Sequence, residues 1–328
     1  MSRSVGGKSA IITGAGSGLN LAFATKLLSL GCNVLLADLA LRPESEELVK
    51  RHSQAAVAGK GRAVFLKTDV TSWKQLEAMF NMAEKEFGGV QIVVAGAGVF
   101  EPDFSSFWIP PGSSKSRDAV DGDRYAQIDI NITHPIRTTQ LALSNWLNRP
   151  QETGPKTVLI VSSTNGQQAS FATPVYAATK HAINGFVRSL GKLEQAHNIR
   201  VAAVAPGIMR TPMYLENPDK LSSIDHAKDA WSEPSEIAEV MLALVERDSM
   251  SNNILQPEGP EDAVLVAGGC IIEGTPGGAV RAVAPYNDPG PSGPGALASN
   301  ILKLEGEIKS ALIPGWGVVG LPTPGASP

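Results

Sequence analysis

The stretch that decides the fold is "SAIITGAGSGLNLAFATKLLSLGCNVLLAD", residues 9–38. "SAIIT" (9–13) is a short apolar run of strand type, and glycines follow at positions 14, 16 and 18. A helical pattern over "LAFATKLLSLG" leads to a second apolar run, "NVLLAD" (33–38). Strand, glycine turn and helix in that order are the context in which such a turn cradles a nucleotide. Glycine permits unusual backbone angles and a close approach to a pyrophosphate, while the helix start offers N–H donors and a positive dipole end. Twenty residues after Gly18, Asp38 ends the second strand. An acidic side chain there accepts both hydrogen bonds from an adenosine ribose and repels a 2′-phosphate, which favours NAD over NADP. Arg42 is the counter-signal, but Ser17 and Leu39 add no second positive charge.

The alternation continues along the chain. Strands are expected at 63–69, 91–98, 156–163, 199–206 and 262–269. Helices are expected from Glu44 to Ala58, over "SWKQLEAMFNMAEKEFG", from Tyr125 to Leu147, from Pro174 to His197 and over "EPSEIAEVMLALVER". Six or seven strands with helical crossovers make an α/β, doubly wound parallel sheet. Two stretches break the rhythm: a long connection at 101–123 and a Gly/Pro-rich end. The expected organisation is one dinucleotide-binding catalytic domain, 1–272, and an extension, 273–328, partly disordered or draped over the surface.

Composition narrows the partners. The 328 residues are 43% hydrophobic and 18% charged, with a formal net charge of −4. That charge gives no footprint for nucleic acid. Cys32 and Cys270 are too few for a disulfide framework, and the five histidines show no metal spacing, so no metal is expected. No apolar run reaches the ~18 residues needed to span a bilayer. The N-terminus has no secretory pattern, so the expectation is a cytoplasmic protein.

Chemistry concentrates in "SSTNGQQASFATPVYAATK", residues 162–180. Tyr176 and Lys180 are four apart in a helical pattern and project from one face. A phenol titrates near ~10 and is a poor proton carrier at neutral pH. A neighbouring ammonium and an oxidised nicotinamide ring are expected to lower that value. Proton transfer by a tuned group is worth about 10²–10⁴ in rate. Ser163 ends the preceding buried strand, at the sheet edge where doubly wound folds bind ligands. His134, beside Pro135, reads as a packing or hydrogen-bonded histidine, not a base. Phe107 and Trp108 read equally as a substrate mouth or as anchors of a packed loop.

With these residues in place, the sequence resembles the short-chain dehydrogenase/reductase family (SDR) over about residues 8 to 270, and so implies a Rossmann fold. "TGAGSGLN" is similar to the family's TGxxxGxG turn, placing Gly14, Ser17, Gly18 and Leu19 against the cofactor. The resemblance assigns Asp38 and Leu39 to the adenosine side, Asp69 and Val70 to the adenine ring, and Ala95 and Gly96 to the strand end where the family has two asparagines. It makes Ser163, Tyr176 and Lys180 the catalytic set, with Asn131 holding a water-linked proton relay to the lysine. In "PGIMRT" (206–211), Pro206, Gly207, Ile208 and Thr211 would meet the nicotinamide. Asn20, in place of the turn's last glycine, and Ala95-Gly96 depart from the pattern and read as tolerated variants. Asparagine adopts unusual angles readily, and its amide is able to donate to a phosphate or cap the helix.

The implied activity is NAD-linked oxidation of a secondary alcohol or reduction of a ketone. Within the family the chain resembles the fungal-type, 15-hydroxyprostaglandin-dehydrogenase-like group. The expected pocket walls, at 101–123, after Ser163 and at 209–231, supply Phe, Trp, Met, Leu and Tyr, so an apolar substrate of lipid, steroid, terpenoid or polyketide type, as in secondary metabolism, is expected. Two alternatives stay open: an isomerase, epimerase or cyclase on the same fold, and a non-catalytic NAD sensor or scaffold. Pairing through the helices at 125–147 and 174–197 implies a homodimer or homotetramer.

Overall fold

The first strand, β1 (Ser9–Thr13), is buried at every position, as a strand sandwiched between two helical layers must be. The computed structural model describes residues 2–54, 59–149, 154–225, 227–256, 263–285 and 301–316. The other strands are β2 (Asn33–Asp38), β3 (Ala63–Lys67), β4 (Ile92–Ala95), β5 (Lys156–Val161), β6 (Ile199–Pro206), β7 (Ser249–Ser251), β8 (Ala263–Leu265), β9 (Ile271–Gly274) and β10 (Val280–Ala282). Eight of them form one sheet in the order β3-β2-β1-β4-β5-β6-β9-β10. All neighbours are parallel except the antiparallel pair β9/β10.

The helices are α1 (Gly18–Ser29), α2 (Pro43–Arg51), α3 (Trp73–Phe87), α4 (Ala126–Ile128), α5 (His134–Leu147), α6 (Pro174–Ser189), α7 (Lys192–His197), α8 (Pro212–Leu215), α9 (Pro218–Leu221), α10 (Pro234–Glu246) and α11 (Ile301–Ala311). Alternate strand residues serve two cores. Ile12, Leu36 and Val94 pack with α1 and α10, while Ile11, Leu35 and Val93 pack with α3, α5 and α6. The chain adds β2 and β3 on one side of β1 and β4 on the other. This reversal opens a crevice beyond the carboxyl ends of β1 and β4, where such sheets bind ligands.

The expected closing strand at 262–269 is corrected. Its apolar residues Ala263–Leu265 pair antiparallel with β7 in a separate two-stranded sheet. Leu265 is 75% exposed there. The chain then turns at Gly269 (φ 86°), and the buried pair Ile271 and Ile272 enters the main sheet beside β6. Two-faced burial selects the isoleucine pair over the Gly-flanked run. The sheet therefore runs through residue 272 and on to Ala282.

Three helices differ in detail. α2 ends at Arg51, and positions 55–58 lie outside the described residues. The helix expected from Pro174 to His197 breaks at Gly191, against which Gly268 packs so closely that a Cβ would lie 2.8 Å from the Gly268 carbonyl oxygen. Between α4 and α5 the chain makes a π-helical turn, Asp129–Thr133. The expectation of disorder at 286–300 and 317–328 falls outside the described residues. Among the described residues, no helix is long and apolar enough to cross a membrane.

Candidate active site

The glycine turn is built by contacts that exclude side chains. A Cβ on Gly16 would lie 2.3 Å from the Ala40 carbonyl oxygen and 2.9 Å from Asp38 Oδ2. Gly14 and Gly18 adopt φ of 71° and 58°, a region costly for residues with a Cβ. The Gly16 and Leu39 N–H groups donate to Asp38 Oδ2 and Oδ1, both at 2.7 Å. Asp38 is thereby fixed at the strand end with its oxygens beside the turn.

An open cleft of about 310 Å³ lies along these residues. Gly14, Ser17, Gly18 and Leu19 line one wall, with Asp38 and Leu39 at one end. Asp69, Val70, Gly96 and Thr211 complete it. The Asp69 carboxyl group turns back to its own loop, accepting from the Thr71 N–H at 2.9 Å and hydroxyl at 2.8 Å. Ala95 is buried in β4 and does not line the cleft. Nor does Ile208, whose carbonyl accepts from the Ser232 N–H at 2.9 Å. Asn20 does not cap α1; that position belongs to Ser17, and the Asn20 amide instead lies against Gly96.

A second cavity, of about 80 Å³, adjoins the first and shares Gly96, Gly98, Val161 and Thr211 with it. Ser163, Tyr176, Lys180, Pro206 and Gly207 line it, so the ends of β5 and β6 and helix α6 bring Ser163, Tyr176 and Lys180 to one place, while Asn131 does not line it. Ser163 Oγ accepts from the Asn165 N–H at 3.1 Å, on the same cavity wall as the Tyr176 hydroxyl. Lys180 Nζ stands 5.4 Å from the centre of the Tyr176 ring and donates to the Val161 carbonyl at 2.8 Å.

Burial pushes the Tyr176 phenol up from its ordinary value, against the downward pull of the Ser163 hydroxyl. Burial also brings the Lys180 ammonium down to about 8. The expected lowering of the phenol by the lysine is thus corrected for the protein groups taken alone: desolvation outweighs an ammonium whose proton is aimed at a backbone carbonyl.

Asn131 sits in the π-helical turn and is buried there. Its Oδ1 accepts from the Val99 N–H and its Nδ2 donates to the Val99 carbonyl, both at 2.9 Å. It fixes the loop after β4. A Cβ on Gly98 would meet both Asn131 Oδ1 at 3.4 Å and Lys180 Nζ at 3.8 Å, so the two groups flank one glycine. His134 is fully buried, with Nδ1 at 3.1 Å from the Ile130 carbonyl and Nε2 at 3.0 Å from Thr13 Oγ1. It is a tethering residue, as its sequence context implied. The Thr13 hydroxyl in turn accepts from the Gly96 and Ala97 N–H groups.

Glu101 was not legible as a site residue. It is buried, with φ 37°, and its side chain accepts from the backbone N–H of Tyr176 at 2.6 Å and of Phe107 at 3.0 Å. It ties the 101–123 connection to the start of the tyrosine helix. Its only sequence signal is an acid directly after "GAGVF". An aromatic wall completes the site: Phe100 packs on Tyr176 at 4.6 Å and on Tyr214 at 5.6 Å, and Tyr214 on Trp231 at 5.8 Å. Phe107 and Trp108 pack on each other at 5.0 Å, and Trp108 packs on Phe171 at 4.9 Å; they form a surface cluster that lines neither cavity. Among the described residues no His, Cys, Asp and Glu cluster suits a metal.

A doubly wound sheet with a glycine turn, a strand-end acid and a Ser-Tyr-Lys cluster at the same crevice defines a dinucleotide-dependent class of protein. The sequence profile described as short chain dehydrogenase matches residues 8–221, and the chain belongs to that family. It is similar to the bovine 3-hydroxyacyl-CoA dehydrogenase type-2, with 29% identity over 263 residues, 78% of this chain and 96% of the relative. An uncharacterized oxidoreductase of Staphylococcus aureus (strain MW2) is 28% identical over 246 residues, 75% of this chain and 94% of that one. The fold is shared with the crystal structure of 3-ketoacyl-(acyl-carrier-protein) reductase from Brucella melitensis complexed with NADH. There the TM-score is 0.58 at 22% identity, covering 74% of this chain and 92% of the other.

Proposed function

We propose that the protein is an NAD-dependent dehydrogenase or reductase acting on a secondary alcohol or ketone of apolar, medium-sized type, in the manner of the 15-hydroxyprostaglandin-dehydrogenase-like members. The observation that carries this reading is the continuity of the glycine-turn cleft with the cavity holding Ser163, Tyr176 and Lys180. The residues fit a dinucleotide: a Cβ at Gly16 would close the turn, and the strand-end carboxyl group is already aimed across it. Gly14, Ser17, Gly18, Leu19 and Asp38 would hold the adenosine diphosphate part. Thr211, Pro206, Gly207 and Lys180 would hold the nicotinamide part. The cofactor supplies the hydride acceptor. Tyr176 takes or gives the proton at its hydroxyl oxygen, Ser163 holds the substrate oxygen, and Lys180 with Asn131 supplies the path along which that proton moves.

The preference for NAD gains support from Arg42. Both its Nη atoms bind Glu216 at 2.5 Å, in a bidentate pair that occupies a cation near Asp38 able to meet a 2′-phosphate. Phe100, Met209, Met213 and Tyr214 around the second cavity support an apolar substrate. An apolar depression lined by Phe107, Ile128, Ile132, Pro174, Val175 and Ala178 supports pairing of two chains through the segment 125–147 and α6. The test is a panel of secondary alcohols with NAD, read as NADH absorbance, on the wild type and Tyr176→Phe. Steady NADH formation is expected from the wild type, with a loss of at least 10²-fold in the variant and unchanged NADH binding. Product without NADH points to an isomerase, and full function of the variant points to a sensor; either result overturns the proposal.

A further inference from the structure

Asn20 lies in the first turn of α1 and is 7% exposed. Its carboxamide fills the space beside Gly96: a Cβ built on Gly96 would lie 2.2 Å from Asn20 Oδ1 and 2.6 Å from both Cγ and Nδ2. A Cβ on Gly14 would come within 3.1 Å of the same Nδ2. The glycine turn, the helix start and the end of β4 therefore meet around a single amide. A side chain at position 96 requires the Asn20 carboxamide to leave this place. Of the positions where the sequence departs from the family pattern, Asn20 and Gly96 thus meet at one place. The amide expected at the strand end is carried on the helix and reaches the room that glycine at 96 leaves open.

The second observation concerns the oxygen. Asn20 Oδ1 is buried and has no hydrogen-bond partner among the described residues. Native proteins pair buried polar atoms, and an orphan in a site asks for a partner that comes from outside the chain. The residue lines the long cleft together with Gly14, Gly18, Asp38 and Gly96. An amide oxygen only accepts; the donors of a dinucleotide are the amino groups at its two ends and the ribose hydroxyls between them, and the hydroxyls are the ones that lie next to the phosphates a glycine turn cradles.

The geometry points to Asn20 as a further cofactor-binding residue: its Oδ1 accepts a hydrogen bond from a ribose hydroxyl of the bound dinucleotide, and Gly96 is glycine because that amide needs the space. The inference rests on reading the cleft as a dinucleotide site. It gives the asparagine opposite effects on stability and on binding. The unpaired acceptor weakens the protein by itself and is satisfied once the dinucleotide is in place.

Asn20→Leu keeps the volume and removes the acceptor. The measurements are the dissociation constant of NADH by calorimetry and the melting temperature without nucleotide. We expect the constant to rise about tenfold, equivalent to ~1.4 kcal/mol, while the melting temperature holds or rises by a few degrees. Asn20→Ala, which cannot overpack, is expected to weaken NADH binding by a similar factor. In the complementary pair, Gly96→Ala should melt several degrees lower, and Asn20→Gly combined with Gly96→Ala should recover most of that loss. A purely structural asparagine would lower the melting temperature in Asn20→Leu and leave NADH affinity alone, and that result overturns the inference. So does a Gly96→Ala protein as stable as the wild type. A wild type that binds neither NADH nor NADPH would instead sink the dinucleotide reading beneath it.

Discussion

Lowering the pH from 7.5 to 5 should act on one group beneath the cofactor turn, His134. Its imidazole is fully buried between Thr13 and Ile130. Burial brings it from 6.5 down to about 4, with the Lys180 charge adding to the effect and the bond to the Ile130 carbonyl opposing it. Below pH 6.5 the unfolded chain takes up a proton that the folded chain refuses until about pH 4. Stability contributed by the neutral ring is therefore whole above that window, falls through it as the pH drops, and levels off beneath it. Each pH unit costs about 1.4 kcal/mol, so the full window is worth about 3 kcal/mol and the loss by pH 5 is about 2 kcal/mol. Urea unfolding of the wild type and of His134→Gln at both pH values measures it. The wild type should lose about 2 kcal/mol more than the variant between them. Equal losses, or an NMR titration of His134 with its midpoint near 6.5, would refute the assignment.

Glu216→Gln should free Arg42 for a 2′-phosphate, so that NADPH binds roughly tenfold more tightly while NADH changes little; unchanged selectivity in paired calorimetric titrations would remove Glu216 from the account. Ending the chain after residue 290 removes Leu312, which is buried against the α5 side of the sheet, and the Trp316 carbonyl that accepts from Ser144 and Asn148. Loss of one buried leucine alone costs about 2–5 kcal/mol, so the melting temperature should fall by ~5 °C or more. A truncated chain that melts with the full one would show that this contact carries no stability.

Most of the architecture was open to reading because its signals are local. "SAIIT", "NVLLAD" and "IRVAAVAP" are apolar on both faces and so name their own strands, and Pro174 and Pro234 mark helix starts where a missing N–H costs nothing. Tyr176, Lys180 and Ser163 were legible for the same reason: one helical face and one strand end place them. Where two short apolar runs compete, as at 262–269 and 271–274, only the sheet's need for two-faced burial decides which one enters.

By itself, then, the sequence determined which segments could be strands and helices, and that Ser163, Tyr176 and Lys180 would gather at one end of the sheet. Tertiary structure decided everything that depends on non-local distance. It brought Glu101 to the backbone of Tyr176, Glu216 to Arg42, and the Asn20 amide into the space beside Gly96. Burial, likewise, set the directions in which Tyr176, Lys180 and His134 shift. A chain spells periodicity and backbone freedom residue by residue, whereas desolvation and exclusion of volume belong to pairs of atoms that only folding makes neighbours.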